Sequence, residues 1–168
     1  MFNLDDFDRF IGEATVQQAR GLQLKPCNPK KHLSEYGAVI RDGRLESSHE
    51  LWLRINKPAD HLSRIEKLAV FCFTSDYTGV KASFPLFALS GWRDAILSIQ
   101  AASLDHVIWF HSFDFDPTDW TLFQVRCSNL RDNRAMTRGA MYARDGTQIL
   151  TACQEGLVRP TTGMYAKL

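Results

Sequence analysis

The chain has 168 residues, with 20 Lys or Arg against 19 Asp or Glu and a formal net charge of +1. This length suits one domain with a core of its own. The balanced charge and the lack of a dense basic cluster argue against nucleic acid or an anionic membrane surface as a partner. We therefore expect the partner to be a small molecule or another protein.

The cysteines and the apolar runs set further limits. Cys27, Cys72, Cys127 and Cys153 are far apart and form no Cys-x-x-Cys pair, which argues against zinc and against a disulfide framework. No apolar run approaches the roughly 20 residues that span a bilayer. The first ten residues, MFNLDDFDRF, are acidic where a secretion signal would be basic. We expect a protein of a reducing compartment with no metal, no cofactor and no membrane partner.

The first third of the chain predicts one helix and two extended segments. Residues Asn3–Gln18 have the spacing of a short amphipathic helix, and Leu22–Lys25 begin an alternating segment that stops at Pro26. The polar stretch Asn28–Ser48 contains turn residues and predicts an irregular crossing at the surface. Residues Glu50–Ile55 alternate apolar and polar side chains and predict a strand that leads into the next helix.

The longest run with helical spacing is residues 60–76, DHLSRIEKLAVFCFTSD. Its spacing of three and four predicts one buried apolar stripe. The stripe consists of Leu62, Ile65, Ala69 and Cys72, widened by Leu68 and Phe71. We expect Asp60 to cap this helix and Gly79 to follow its end. The stripe leads to Asp76, where a buried carboxylate would cost free energy unless something binds it. A local turn of Asp76 with Thr78 and Gly79 is the structural alternative.

The second half of the chain predicts a loop and four strands. Residues 83–95 lack a clean period, and the strands that follow are Ser103–His111, Trp120–Ser128, Ala135–Ala143 and Thr147–Val158. Both faces of the first of these strands look covered. Asp145-Gly146 is the strongest two-residue hairpin signal. These elements predict an α+β fold in which an antiparallel sheet wraps one long central helix, which is the hotdog architecture in outline. Its open edge strand invites pairing with a second copy.

Several familiar sites are absent from the sequence. No Gly-x-Ser-x-Gly occurs, and Ser90-Gly91 lacks the preceding glycine of a serine elbow. There is no phosphate-binding glycine loop. His106 and His111 are five positions apart on a predicted strand, so their side chains point to opposite faces and cannot share one metal. Core or interface histidines are the better interpretation of this pair.

The chain from about Leu22 to Arg159 resembles the type II acyl-CoA thioesterases, in particular their C-terminal half. The resemblance depends on residues 103–111, SLDHVIWFH, on Asp119-Trp120, on residues 144–146, RDG, and on residues 151–159, TACQEGLVR. It implies a hotdog fold and hydrolysis of fatty acyl-CoA. In that family an aspartate of the central helix, a threonine or serine before the Asp-His pair and the glutamine of Gln-Glu-Gly surround the attacking water. The matching positions here are Asp76, Ser103 and Gln154.

The chemistry of thioester hydrolysis agrees with these residue types. The reaction needs an oriented water, a group that takes its proton and donors for the developing oxyanion. We expect Asp76 to orient and deprotonate the water, and Ser103 and Gln154 to hold it. Taken singly, Ser103 could cap its own strand end and Gln154 could form a cross-strand amide pair. Cys153 is interpreted as a small packing residue, because this scheme needs no covalent nucleophile.

The chain departs from the family pattern in carrying one hotdog unit instead of two in tandem. We expect residues 1–21 to form a linker-like helix, residues 22–160 the thioesterase hotdog domain, and residues 161–168 a flexible tail. Because the family's pocket lies between two units, the resemblance implies a hotdog homodimer around the acyl-CoA substrate. The alternative is a non-catalytic acyl-CoA-binding or regulatory subunit. A hotdog hydratase is disfavoured, since no histidine follows Asp76 at the spacing that chemistry needs.

The C-terminal tripeptide predicts a subcellular location. Ala166-Lys167-Leu168 differs from the peroxisomal Ser-Lys-Leu signal by one small residue, and it follows a polar, turn-forming stretch, Pro160–Gly163. Some eukaryotic type II thioesterases are peroxisomal, so the resemblance and the tripeptide agree. We expect a peroxisomal matrix protein that the import receptor binds through these three residues, with the cytoplasm as the alternative.

Overall fold

A computed structural model describes residues 22–27, 39–41, 44–55, 62–87 and 99–160. The helix predicted over Asn3–Gln18, Asp60 as a cap, and the tail with its tripeptide lie outside these ranges. The predicted domain boundaries remain predictions for the same reason.

The described residues form seven strands, one α-helix and one 3₁₀ helix. The strands are β1 (Leu22–Pro26), β2 (Val39–Arg41), β3 (Arg44–Ile55), β4 (Ile99–Phe110), β5 (Thr121–Arg131), β6 (Arg134–Tyr142) and β7 (Gln148–Pro160). Helix α1 spans Arg64–Gly79, and the 3₁₀ helix continues directly from it over Val80–Phe87. The α+β arrangement and the single long helix expected from the sequence are confirmed.

All strands are antiparallel and form one sheet in the order β1-β3-β5-β6-β7-β4, with β2 paired to the first part of β3. Strand β4 therefore lies at one edge of the described sheet. The core lies between the inner face of the sheet and the two helices, where Phe71, Phe123 and Met141 are fully buried. Burial of such side chains stabilises the fold by about 1.5–3 kcal/mol each.

The start of α1 is set by a capping box. Ser63 is the N-cap, its hydroxyl accepts from the backbone N–H of Glu66, and the Glu66 carboxylate accepts from the Ser63 backbone N–H at 2.8 Å. The cap of α1 is therefore Ser63, whereas Asp60, the expected cap, lies outside the described residues. Gly79 is the last residue of α1 and does not follow it, because the chain continues into the 3₁₀ helix through Val80 in the right-handed helical region.

The buried face of α1 shares only Phe71 with the stripe that apolar spacing predicted. Ile65 is 78% exposed and Ala69 is exposed as well. The buried positions are Phe71, Thr74, Ser75, Thr78 and Gly79. Hydroxyl side chains can be buried here because each one bonds a carbonyl of its own helix. Thr74 Oγ1 donates to Val70 O at 2.7 Å, and Thr78 Oγ1 donates to Thr74 O at 2.5 Å.

A β-bulge interrupts the pairing of β4 with β7. Ser103 is opposite Gly156 and Asp105 is opposite Glu155, so Leu104 is the extra residue. The bulge reverses the alternation of side chains: Ser103 lies on the inner face together with His106, although parity alone would place it outside. Asp105 Oδ1 accepts from the backbone N–H of Glu155 at 2.9 Å and so pairs a backbone group beside the bulge.

Other local predictions are corrected by the structure. The polar stretch before Ser48 contains β2 and the first part of β3 and is therefore not an irregular crossing throughout. Residues 83–87 belong to the 3₁₀ helix and not to a loop.

The two-residue hairpin is at Asp132-Asn133, both with positive φ, whereas Asp145-Gly146 lies in a longer turn. The outer face of β4 is open, because Val107 and Trp109 are 46% and 50% exposed.

Candidate active site

The structure brings the three predicted site residues together from three elements. Asp76 comes from the last turn of α1, Ser103 from the bulge of β4, and Gln154 from the middle of β7. Ser103 Oγ donates to Asp76 Oδ1 at 2.7 Å. Gln154 Nε2 donates to the same carboxylate oxygen and to Ser103 Oγ at 2.8 Å. We call these three side chains the carboxylate cluster.

The local fold explains why a carboxylate is tolerated at Asp76. Two side-chain donors converge on one of its oxygens, and Gln154 Nε2 also lies 3.3 Å from its backbone oxygen. Such donors replace the water that a half-buried carboxylate loses. This pattern favours a bound carboxylate over the local turn with Thr78, whose hydroxyl donates to Thr74 O instead.

Burial is graded across the carboxylate cluster. Gln154 is 2% exposed, Asp76 is half-buried and Ser103 is exposed. A small molecule can therefore reach the cluster from the side of Ser103 and β4. Because the buried member donates to Asp76 and cannot reach solvent, Gln154 fixes the carboxylate from behind.

The orientation of the Gln154 amide follows from its neighbours. With Nε2 turned toward the carboxylate, Gln154 Oε1 is buried and has no hydrogen-bond partner among the described residues. The opposite orientation would place two oxygens against each other, so the charge-assisted contact decides the orientation. The unpaired oxygen costs about 1–3 kcal/mol.

Gly79 makes room for that amide. A Cβ atom added at Gly79 would lie 2.5 Å from Gln154 Oε1 and 3.8 Å from Thr137 Oγ1. Real Cβ atoms do not approach an oxygen so closely. Gly79 therefore serves close packing of the helix end on β7, and it was missed as a site residue because a glycine near a helix end predicts termination.

A second polar contact lies beside the carboxylate cluster. His106 Nε2 is 3.2 Å from Ser75 Oγ, and Ser75 directly precedes Asp76 in α1. His111 lies on the other side of the sheet, where its Nε2 is 2.8 Å from Thr151 Oγ1. The two histidines thus point to opposite faces, as their spacing predicted. The sequence gives no signal for the contact between His106 and Ser75.

Lys81, just after α1, is also partly withdrawn from water. Its ammonium lies 3.4 Å from the centre of the Tyr77 ring. Burial lowers the pKa of Lys81, and the contact with Tyr77 raises it in part. This lysine contributes to the packing of the 3₁₀ helix beside the site.

The described cysteines do not offer a nucleophile to this site. Burial raises the pKa of Cys72 above its ordinary value and that of Cys127 to about 11, so both remain thiols at neutral pH. Cys153 follows β7 parity and lies on the face opposite Gln154, where Arg138 Nε is 3.4 Å from its sulfur. An attacking water is consistent with this arrangement.

Neither a metal-binding cluster nor a helix that could span a membrane occurs among the described residues. No three His, Cys, Asp or Glu side chains of the described ranges lie close enough to hold a metal ion. No helix in the same ranges has the length and apolar character needed to cross a bilayer.

The chain is similar in sequence to known acyl-CoA thioesterases. The sequence profile of the acyl-CoA thioesterase family matches residues 29–157. The chain is 38% identical over 61 residues to acyl-CoA thioesterase 2 of Haemophilus influenzae, which is 36% of this chain and 21% of the relative. It is 26% identical over 139 residues to acyl-coenzyme A thioesterase 8 of Homo sapiens, which is 82% of this chain and 39% of the relative.

A solved structure agrees at the level of the fold. The acyl-CoA thioesterase II TesB2 of Mycobacterium marinum superposes with a TM-score of 0.68 at 20% identity, covering 89% of this chain and 52% of that chain. A central helix wrapped by an antiparallel sheet defines the hotdog class of proteins, and this fold is confirmed. Because the family profile matches most of its length, the chain belongs to the acyl-CoA thioesterase family. It spans less than half of the two curated relatives and about half of the M. marinum chain.

Proposed function

We propose that this chain hydrolyses fatty acyl-CoA to a free fatty acid and CoA by direct attack of water. The observation that carries the proposal is the carboxylate cluster, in which Asp76, Ser103 and Gln154 converge at the open side of the helix end. Membership of the acyl-CoA thioesterase family supports the substrate class.

The proposed roles follow from exposure and bonding. A water at the accessible side donates a hydrogen bond to the Asp76 carboxylate, which takes its proton as the water attacks the thioester carbonyl. Ser103, the exposed member, bonds the same water and limits its direction of attack. Gln154 keeps the carboxylate in place through the buried bond to Oδ1. The tetrahedral intermediate then expels the CoA thiolate, which leaves with the proton from the aspartic acid.

The test is the release of free thiol from medium- and long-chain acyl-CoA by the purified chain. Asp76→Asn keeps the shape of the side chain but removes the base, so we expect kcat to fall by about 10² to 10³ with little change in KM. Ser103→Ala and Gln154→Ala should lower kcat in the same way. Asp105→Asn is a matched control, because its amide oxygen can still accept from Glu155 N–H.

Other outcomes of this assay would overturn the proposal. Normal turnover by Asp76→Asn would exclude Asp76 as the base. Saturable acyl-CoA binding without thiol release by the wild-type dimer would favour the non-catalytic acyl-CoA-binding subunit.

We also propose that two copies of the chain form a homodimer through the edge of the sheet. Strand β4 is twelve residues long, has no partner on its outer side among the described strands, and exposes Leu104, Val107 and Trp109 at its surface. Such an edge favours pairing with an identical strand. The chain also spans about half of the M. marinum thioesterase II chain. The dimer would place two carboxylate clusters near one shared acyl-CoA site.

A separate proposal concerns location. We propose that the peroxisomal import receptor binds Ala166, Lys167 and Leu168. A fluorescent protein fused to the N-terminus should give punctate peroxisomal signal, and removal of residues 166–168 should make it diffuse. Equal diffuse signal from both fusions would favour the cytoplasm and would remove this proposal.

A further inference from the structure

His106 and Ser75 form a contact that the proposed reaction does not use. His106 lies on the inner face of β4, directly opposite Gln154 in the pairing with β7, and its Nε2 is 3.2 Å from Ser75 Oγ in α1. Ser75 is 1% exposed, and His106 is half-buried. Among the described residues, the hydrogen bond of this ring goes to Ser75 and not to a member of the carboxylate cluster.

The hydrogen positions follow from the neighbours of Ser75. Its hydroxyl donates to the backbone oxygen of Cys72 at 2.9 Å, so its proton is engaged within the helix. The remaining lone pairs of Ser75 Oγ can only accept. With Ser75 Oγ as the acceptor, the proton of this hydrogen bond lies on Nε2 of His106.

This bond connects the edge strand to the turn of the helix that carries Asp76. Ser103 and His106 are both on β4, while Ser75 and Asp76 are adjacent in α1, so the two strand residues bind two neighbouring helix residues. Both strand residues can reach the helix because the bulge at Leu104 places Ser103 and His106 on the same face of β4. Without the donor at His106, Ser103 is the only β4 side chain among the described residues that is hydrogen-bonded to this turn.

We infer that His106 is a positioning residue, which acts through Ser75 to hold the Asp76 carboxylate in line with the attacking water. The inference rests on the proposed hydrolysis and adds a residue to it. Small displacements of a catalytic group lower the rate steeply, by up to about 10²-fold for a shift of 1 Å. The loss should appear in kcat, because neither residue contacts the acyl chain in the proposed scheme.

The test compares two ways of replacing the histidine. His106→Leu keeps bulk but removes the donor, and we expect kcat to fall about 10- to 100-fold with KM unchanged. His106→Gln places an amide donor near the position of Nε2 and should restore most of the loss. Ser75→Ala should match His106→Leu, and the double variant should be no slower than either single variant, because both remove the same bond.

Two matched controls separate positioning from stability. Thr74→Val removes a buried hydroxyl of the same helix, which donates to Val70 O within α1. His111→Leu removes a histidine from the other face of the sheet. Both should keep kcat near the wild-type value. Equal losses in Thr74→Val and Ser75→Ala, or no rescue by His106→Gln, would overturn the inference.

A spectroscopic measurement keeps the inference testable apart from the activity. Nitrogen-15 NMR of the imidazole should show the proton on Nε2 of His106 in the wild-type chain, and Ser75→Ala should change the Nε2 shift. If the wild-type chain releases no thiol, the proposed function fails. The NMR spectrum still shows in that case whether His106 donates a hydrogen bond to Ser75. If the chain is active but His106 carries its proton on Nδ1, the inference alone fails.

Discussion

Gln154 is the residue on which the candidate site depends most. It is buried, it donates to both other members of the carboxylate cluster, and its Oε1 has no partner among the described residues. An apolar side chain at this position would leave the Asp76 carboxylate without one of its two side-chain donors. The bonds to Asp76 and Ser103 hold the amide, and Gly79 leaves the room that it needs.

Substitution of Gly79 by alanine should therefore damage the site more than the fold. The new Cβ would overlap Gln154 Oε1 and move the amide away from Asp76, and we expect kcat to fall by about 10²-fold. The helix itself gains propensity from alanine, which offsets part of the cost in stability. Thiol release and thermal unfolding, measured on the same preparation, check both effects.

Gly139→Ala is the matched control for this prediction. Its Cβ would meet the Phe123 ring at 2.5 Å, in the core and away from the carboxylate cluster. This variant should unfold at a lower temperature while each folded molecule keeps its turnover. The same pattern in Gly79→Ala would contradict the role assigned to Gly79.

Among the individual residues of the candidate site, three were predicted from the sequence. Asp76 is detectable because a carboxylate occupies the end of a helical stripe, and the family resemblance supplied Ser103 and Gln154. The contacts of Gly79, Ser75 and His106 were not predicted, because they depend on atoms of other elements that approach these residues in space.

The elements place the site through two departures from regular patterns. Helix α1 buries threonine and serine hydroxyls in its second half, each bonded to a carbonyl of the same helix. Strand β4 contains the bulge at Leu104, which turns Ser103 inward. The buried hydroxyls allow a polar face of α1 to pack on the sheet. The bulge brings the Ser103 hydroxyl to the Asp76 carboxylate.

Deletion of Leu104 tests the bulge. A regular ladder would turn Ser103 to the outer face, so we expect turnover to fall about as far as in Ser103→Ala, by 10² to about 10³. Leu104 is 47% exposed, so its loss should cost the core little. Leu104→Ala keeps the chain length and the bulge and should keep turnover. Wild-type rates in the deletion variant would show that Ser103 needs no bulge.

Neither departure could be predicted from the pattern of apolar residues. A count of apolar positions treats threonine and serine as polar and therefore selected Ile65 and Ala69, which are exposed, over Thr74 and Ser75. Strict alternation along β4 assigns Ser103 to the wrong face, because one unpaired residue reverses every position before it. The strands themselves were predictable, since burial alternates along β5 as far as Cys127, along β6 and along β7.

At the scale of the whole molecule, the feature with the most consequences is the edge of the described sheet at β4. The dimer proposed for this edge predicts a single species of twice the chain mass in light scattering at micromolar concentration. Val107→Lys introduces a charge on the edge strand and should shift the chain to monomer with lower turnover. Met136→Lys, an exposed apolar position on β6, is the matched control and should leave the dimer intact. A wild-type monomer at all concentrations would exclude the dimer.

The position of β4 at the end of the sheet has a consequence for the exchange of its amide hydrogens. In an antiparallel edge strand, successive N–H groups point alternately toward the neighbouring strand and away from it. In an isolated chain, amides of β4 that face β7 should exchange slowly with deuterium and the others quickly. Pairing of two copies along this strand would also slow the exchange of the amides that face away from β7. The difference in exchange rate between successive β4 amides would therefore measure the fraction of the protein that is dimeric.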